Sequence, residues 1–164
     1  MNKPNDDSGG DQRIARITLD EHTVVRRGAD IEHERATAIT DLLEENHFAP
    51  ASGKDGPFDL HLAIEENRLS LDICSRADGS GETIVVPLAP FRGIVKDYFM
   101  VCESYYQAVR GSRLAQVEAI DIGRRSLHDE GSELLMERLA DKVAIDHATA
   151  RRLFTLICVL HLRG

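Results

Sequence analysis

The sequence has no apolar run of the roughly 18 residues that a membrane-crossing helix requires; its longest such stretch, near the C-terminus, is interrupted by His161. Cysteine is scarce. Cys74, Cys102 and Cys158 are an odd number without close spacing, which speaks against a disulfide framework or a paired-cysteine zinc motif and reads as buried free thiols in a reducing compartment. Positive charge is also in deficit, with 20 Lys and Arg against 28 Asp and Glu for a net −8. A phosphate backbone would be repelled unless Arg92, Lys96, Arg110, Arg124 and Arg125 shared one face, so nucleic acid is disfavoured as a partner. There is no phosphate loop, dinucleotide fingerprint or serine nucleophile elbow. No cofactor is therefore expected. Nor is a metal: His33 and His47 flank an acid-rich helix, but HERAT at 33–37 lacks the second histidine of a zinc helix motif. The opening residues, MNKPNDDSGGDQ, lack the apolar core of a secretion signal. The expected location is cytoplasmic.

What is present is ordinary globular material. A hydrophobic share of 42% with 29% charge argues against a mainly disordered chain, and 164 residues suffice for one core. Residues 1–12 are expected to be a disordered tail and 13–164 a single domain. The most decisive pattern is PFRGIVKDYFMVCESYYQAVR at 90–110. At about 100° per residue its apolar positions, including all three tyrosines, fall in one arc roughly 160° wide. That predicts a helix whose tyrosines belong to the interior, with Pro90 at its first position. Alternation at 13–19 predicts a strand, with 23–27 as a possible pairing partner. Asp30 reads as the N-cap of a helix reaching about Asn46, and NHFAPASGKDGP at 46–57 reads as loop.

Residues 58–65 and 69–73 alternate cleanly and predict a hairpin in which Ile64 faces Leu69. A further strand at 83–88 contains Pro87, suited to an edge or a strand end. Ser112 is a candidate cap for a helix that Gly123 and Gly131 interrupt, leaving DIGRRSLHDEGS at 121–132 as a polar corner. Residues 142–145 suit a short strand. Asp146 reads as the cap of a last helix, apolar nearly all round from Leu153 to Leu160 and hence central in the core or half of a dimer contact. The fold class is α+β: an antiparallel sheet of about four to six strands, with a helical C-terminal half packed on one face.

The segments IEHERATAITDLLEENHFAP (31–50), LHLAIEENRLSLDI (60–73), APFRGIVKDYFMVCESYYQAV (89–109), EAIDIGRRSLHDEGSELLMERL (118–139) and ARRLFTLICVLHLRG (150–164) resemble an uncharacterised protein family, numbered 0262, of alphaproteobacteria. The resemblance implies kinship and brings no assigned catalytic residues.

Among candidate chemistries the densest is Arg124, Arg125, His128, Asp129 and Glu130. Arg124 and Arg125 suit an anion clamp, and His128 with Glu130 suits an acid and base working near neutral pH. A solvated corner whose arginines pair with its own acids is the plainer reading. Arg151 and Arg152 lie near a helix N-terminus, where the dipole disfavours cations, so an acidic partner is expected, with an internal pair the default. His61 is expected on the solvated face of the hairpin, opposite Asp72 or Ser70, and Cys102 in the core. The leading expectation for function is a binding or regulatory module acting through protein contacts, as a homodimer or with another protein, because apolar helix surface exceeds what a small sheet covers. The alternative is an enzyme or sensor of a small phosphorylated or carboxylated metabolite that uses the Arg/His/acid cluster.

Overall fold

The computed structural model describes residues 10–20, 29–111 and 113–161. The alternating segment folds as its pattern dictates. Strands β3 (Gly56–Glu65) and β4 (Arg68–Ser75) pair antiparallel with Ile64 opposite Leu69. Between them Glu66 and Asn67 take positive φ values of 52° and 64°, a two-residue turn whose twist matches the strands it joins. This register places Phe58, Leu60, Leu62, Leu69, Leu71 and Ile73 on one face, none more than 2% exposed. Strand β5 (Gly81–Pro87) pairs with β4 at the edge and ends on its proline.

On the other side of β3 lies β1 (Gly10–Leu19), so the order is β1-β3-β4-β5. β1 runs parallel to β3, which makes the sheet mixed rather than wholly antiparallel. The reason is topological: the chain leaves β1, travels through a helix and returns, as a parallel pair requires. β1 also begins at Gly10, three residues into the expected tail. The rest of that tail and the possible strand at 23–27 lie outside the described residues.

Helix α1 (Ala29–Glu44) already includes Asp30, which is therefore a first-turn anion and not the cap; it pairs with Arg110 at 2.9 Å. The expected loop at 46–57 hides a three-residue strand, β2 (Phe48–Pro50), antiparallel to β6 (Val143–Ile145) in a second small sheet. Three residues are too few to show a period in sequence, although Phe48 and Pro50 are both buried in the strand. Helix α2 (Arg92–Arg110) follows a 3₁₀ turn at Ala89–Phe91 that carries Pro90. Helix α3 (Leu114–Leu139) is continuous over 26 residues, so the predicted interruption does not occur. The Ser112 cap falls on a residue outside the described set.

The two glycines of α3 explain the difference. A glycine inside a helix costs only about 1 kcal/mol, which packing readily overrides. At Gly131 the packing is explicit: a Cβ there would lie 2.4 Å from Cζ of Phe154, a ring with no exposed surface. Glycine is what lets α3 approach α4 (His147–His161). Nothing lies within 4 Å of a Cβ built at Gly123.

Helix α4 is capped by Asp146, whose carboxylate accepts the Thr149 N–H at 2.9 Å. Partial burial works against the Asp146 charge, but the Thr149 bonds hold its carboxyl below the ordinary range. Residues 153–160 are all buried, and α4 packs on α1, α2, α3 and β3, at the centre of the core. The opposite face of the sheet is polar. Thr18, His61, Asp72 and Thr83 face one another across its four strands, with Thr18 and His61 joined at 2.6 Å and Thr83 donating to Asp72 at 2.7 Å. Cys74 is exposed on this face, contrary to its expected burial, because it alternates with buried Ile73 in β4.

Replacing the two glycines separates packing from propensity. Gly131→Ala is expected to lower stability by about 1–3 kcal/mol through overpacking against Phe154, and Gly123→Ala to raise it by up to about 1 kcal/mol. Chemical unfolding of both variants checks the contrast.

Candidate functional site

Helical spacing determines which polar groups meet. On α1, Glu34, Thr37, Ala38 and Asp41 recur at intervals of three and four and so share one face. Glu34 is 8% exposed, an acid in line with buried Ala38 and Leu42. Its carboxylate is met by donors from two other helices. Tyr98 on α2 donates to Oε1 at 2.8 Å, Tyr106 donates to Oε2, and Nη1 of Arg124 on α3 reaches Oε2 at 3.1 Å. A buried acid is tolerable only with such partners, since several kcal/mol of lost hydration must be replaced.

Arg124 is held on every side. Its Nε and Nη2 donate to Asp121 one turn earlier at 3.2 and 3.1 Å, and its guanidinium carbon lies 4.4 Å from the centroid of the Tyr105 ring. Burial disfavours its charge, but Glu34 and Asp121 more than offset this and keep the guanidinium above its ordinary range. Tyr98 and Tyr106 are pushed far above the usual phenol range, chiefly by burial and further by the neighbouring Glu34. They act as neutral donors.

His128, one turn after Arg124, places Nε2 at 3.3 Å from both the Tyr98 hydroxyl and Oγ1 of Thr155 on α4. The Tyr98 proton is committed to Glu34 and the Thr155 proton to the Arg151 carbonyl at 3.1 Å. Both oxygens are left as acceptors, which assigns the proton of the neutral ring to Nε2. Burial, then the charges of Arg151 and Arg124, lower the imidazole from 6.5 to about 4. His128 is therefore neutral at pH 7, not poised to exchange a proton there as the sequence suggested.

Against this network lies a cavity of about 490 Å³, bounded by all four helices. Glu34, Thr37 and Asp41 come from α1, Tyr105, Tyr106 and Val109 from α2, Arg124 and His128 from α3, and Arg151, Arg152 and Thr155 from α4. His33 stands at its edge, edge-on to Tyr106. Of the cluster predicted from sequence, Arg124 and His128 are thus brought together. Arg125, Asp129 and Glu130 are not: a continuous helix turns them away, Arg125 to an exposed pair with Asp121 at 2.7 Å and both acids to the exposed surface. The reading of the tyrosines as interior is corrected in the same way, since Tyr98 is buried but Tyr105 and Tyr106 line the cavity.

Arg151 and Arg152 have no ion pair among the described residues, contrary to the expected internal pair, and Nε of Arg151 is buried without a hydrogen-bond partner. Sequence reasoning missed Glu34 and Asp41. The signal for Glu34 was an acid within the apolar stripe of its helix, and for Thr155 a hydroxyl inside LFTLICVL. The described residues hold no group of three or more metal-ligating side chains suited to an ion. Cys102 is buried, and that burial pushes its thiol up to about 11, out of reach of ordinary thiolate chemistry.

The lowered His128 value carries a pH signature. The unfolded ring protonates near 6.5 and the folded one near 4, so the unfolded state binds more protons between those values. Stability from this residue is fully present above pH 6.5 and lost as the pH falls towards 4, by about 3 kcal/mol in all. His128→Gln keeps a donor and is expected to flatten that part of the wild-type profile, checked by urea unfolding at a series of pH values.

Comparison with known proteins places the chain. The model of an uncharacterised protein family (UPF0262) matches residues 11–163. A UPF0262 protein of Bradyrhizobium diazoefficiens is 56% identical over 167 residues, covering 100% of both chains, and one of Rhodopseudomonas palustris is 57% identical over 165 residues, again covering 100% of both. A relative from Rhodospirillum rubrum is 60% identical over 148 residues, 90% of this chain and 91% of its own. No solved structure matches. With a family match spanning nearly all of its length and relatives of this identity, the chain belongs to the uncharacterised protein family UPF0262.

Proposed function

We propose that the protein binds a small phosphorylated or carboxylated metabolite in the four-helix cavity, with Arg151 and Arg152 as the anion-binding groups. The observation that carries this reading is the buried, unpartnered Nε of Arg151 beside a cavity of about 490 Å³, the size that encloses a small metabolite. A guanidinium nitrogen without a bond costs free energy that an anion would recover through paired, charge-assisted contacts. Arg124 is a wall of the site and not a free clamp, because Glu34, Asp121 and Tyr105 already engage it. His128 is a neutral wall group, and Glu130 is outside the lining. The arrangement therefore favours binding or sensing over acid–base turnover by that pair. A cytoplasmic location belongs to the same reading, supported by the free thiols of Cys102 and Cys158 in the core.

A second reading, self-association with another copy of the chain, is favoured by the exposed apolar side chains Met100, Val109, Leu114 and Ile122 on α2 and α3. One set of samples addresses both readings. Phosphate, pyrophosphate or glutarate at a hundred times its dissociation constant is expected to raise the melting temperature by about 5–10 °C, and the Arg151→Met, Arg152→Met double variant to lose that rise. The anion reading fails if none of the three anions shifts the wild type at 10 mM. Light scattering on the same samples distinguishes a dimer from a monomer, and a strict monomer at micromolar concentration ends the second reading.

A further inference from the structure

The cavity presents unused charge of both signs. Arg151 and Arg152 enter from α4; Asp41 enters from α1, half-buried, and has no hydrogen-bond or ion-pair partner among the described residues. Asp41 makes no ion pair with either arginine, although all three line one space and α1 packs directly on α4. The other acid of the lining, Glu34, is fully engaged by Tyr98, Tyr106 and Arg124. A simple anion would satisfy the arginines and leave Asp41 facing like charge. Thr37 lies one turn from Asp41 on the same face, and Tyr105 and Val109 supply an apolar wall.

From this juxtaposition we infer that the ligand is a small zwitterion, an anionic group held by Arg151 and Arg152 with an ammonium held by Asp41, the chemistry of an amino acid or of a phosphorylated amine. The inference rests on the anion-binding reading above and sharpens it. Asp41 serves as the specificity group. An anion lacking the amine loses the attraction of its carboxylate and meets its repulsion, whereas one carrying the amine pairs both charges in a partly desolvated space. Because Asp41 makes no hydrogen bond or ion pair among the described residues, its isosteric replacement is expected to leave the fold intact.

Matched ligands provide the test. L-glutamate differs from glutarate by its amino group, and O-phosphoethanolamine from ethyl phosphate likewise; each is titrated by calorimetry into the full chain and into Asp41→Asn. In at least one pair the amine-bearing member is expected to bind wild type at least about tenfold more tightly. Asp41→Asn is expected to erase that preference while retaining affinity for the simple anion. Equal affinities within both pairs, or a preference that survives in Asp41→Asn, overturns the zwitterion inference and leaves the anion reading standing. If no member of either pair binds wild type at 10 mM, the zwitterion inference falls, and the anion reading falls with it when phosphate and pyrophosphate also leave the melting temperature unchanged. Thermal unfolding of Asp41→Asn confirms that a lost preference reflects the site, since its melting temperature is expected to match the wild type.

Discussion

The Glu34 carboxylate is the constraint on which the helical layer depends. It sits on α1 and accepts from Tyr98 and Tyr106 of α2 and from Arg124 of α3. A buried ion pair adds little net stability compared with a well-packed apolar contact, but breaking it strands a charge at a cost of about 3–5 kcal/mol. The effect is to penalise alternative arrangements more than to reward the native one. Apolar packing alone would allow α1, α2 and α3 to slide past one another; three donors aimed at two oxygens allow much less.

The same contacts shape the cavity. Because Glu34 and Asp121 absorb the charge of Arg124, the guanidinium can sit over the Tyr105 ring as a wall, and the hydroxyls of Tyr98 and Tyr106 remain neutral donors. His128 links this wall to α4 through Thr155, whose own proton returns to the Arg151 carbonyl. Among the described residues, the charged groups of the lining left without an ion pair are then Arg151, Arg152 and Asp41, on two helices that pack on each other.

The hairpin at the centre of the sheet is legible in the sequence because its period is two and one face is dry, a pattern that alone specifies the Ile64 to Leu69 register. Burial of α4 was legible for a similar reason, as was its Asp146 cap. What escaped has local causes. Gly123 and Gly131 read as breaks because a glycine signals flexibility in sequence, whereas Gly131 is set by a long-range contact with Phe154 that no local pattern reveals. The misplaced corner then scattered the predicted cluster: in a loop Arg125 and Glu130 could join Arg124 and His128, but on a helix 100° per residue separates them. Glu34 escapes a local reading because its partners lie 64 to 90 residues away. β2 and the parallel pairing of β1 likewise depend on tertiary context.

The central claim is that Glu34 and Arg124 are energetically coupled, and a double-mutant cycle measures this most directly. Glu34→Ala, Arg124→Met and the double variant are compared with wild type by urea unfolding at pH 7. The account predicts a coupling of about 1–3 kcal/mol, each single change costing more than it does once the other is already made. Additivity within about 0.3–0.5 kcal/mol would contradict it, showing the two charges to be independent and the cavity wall to be held by packing alone.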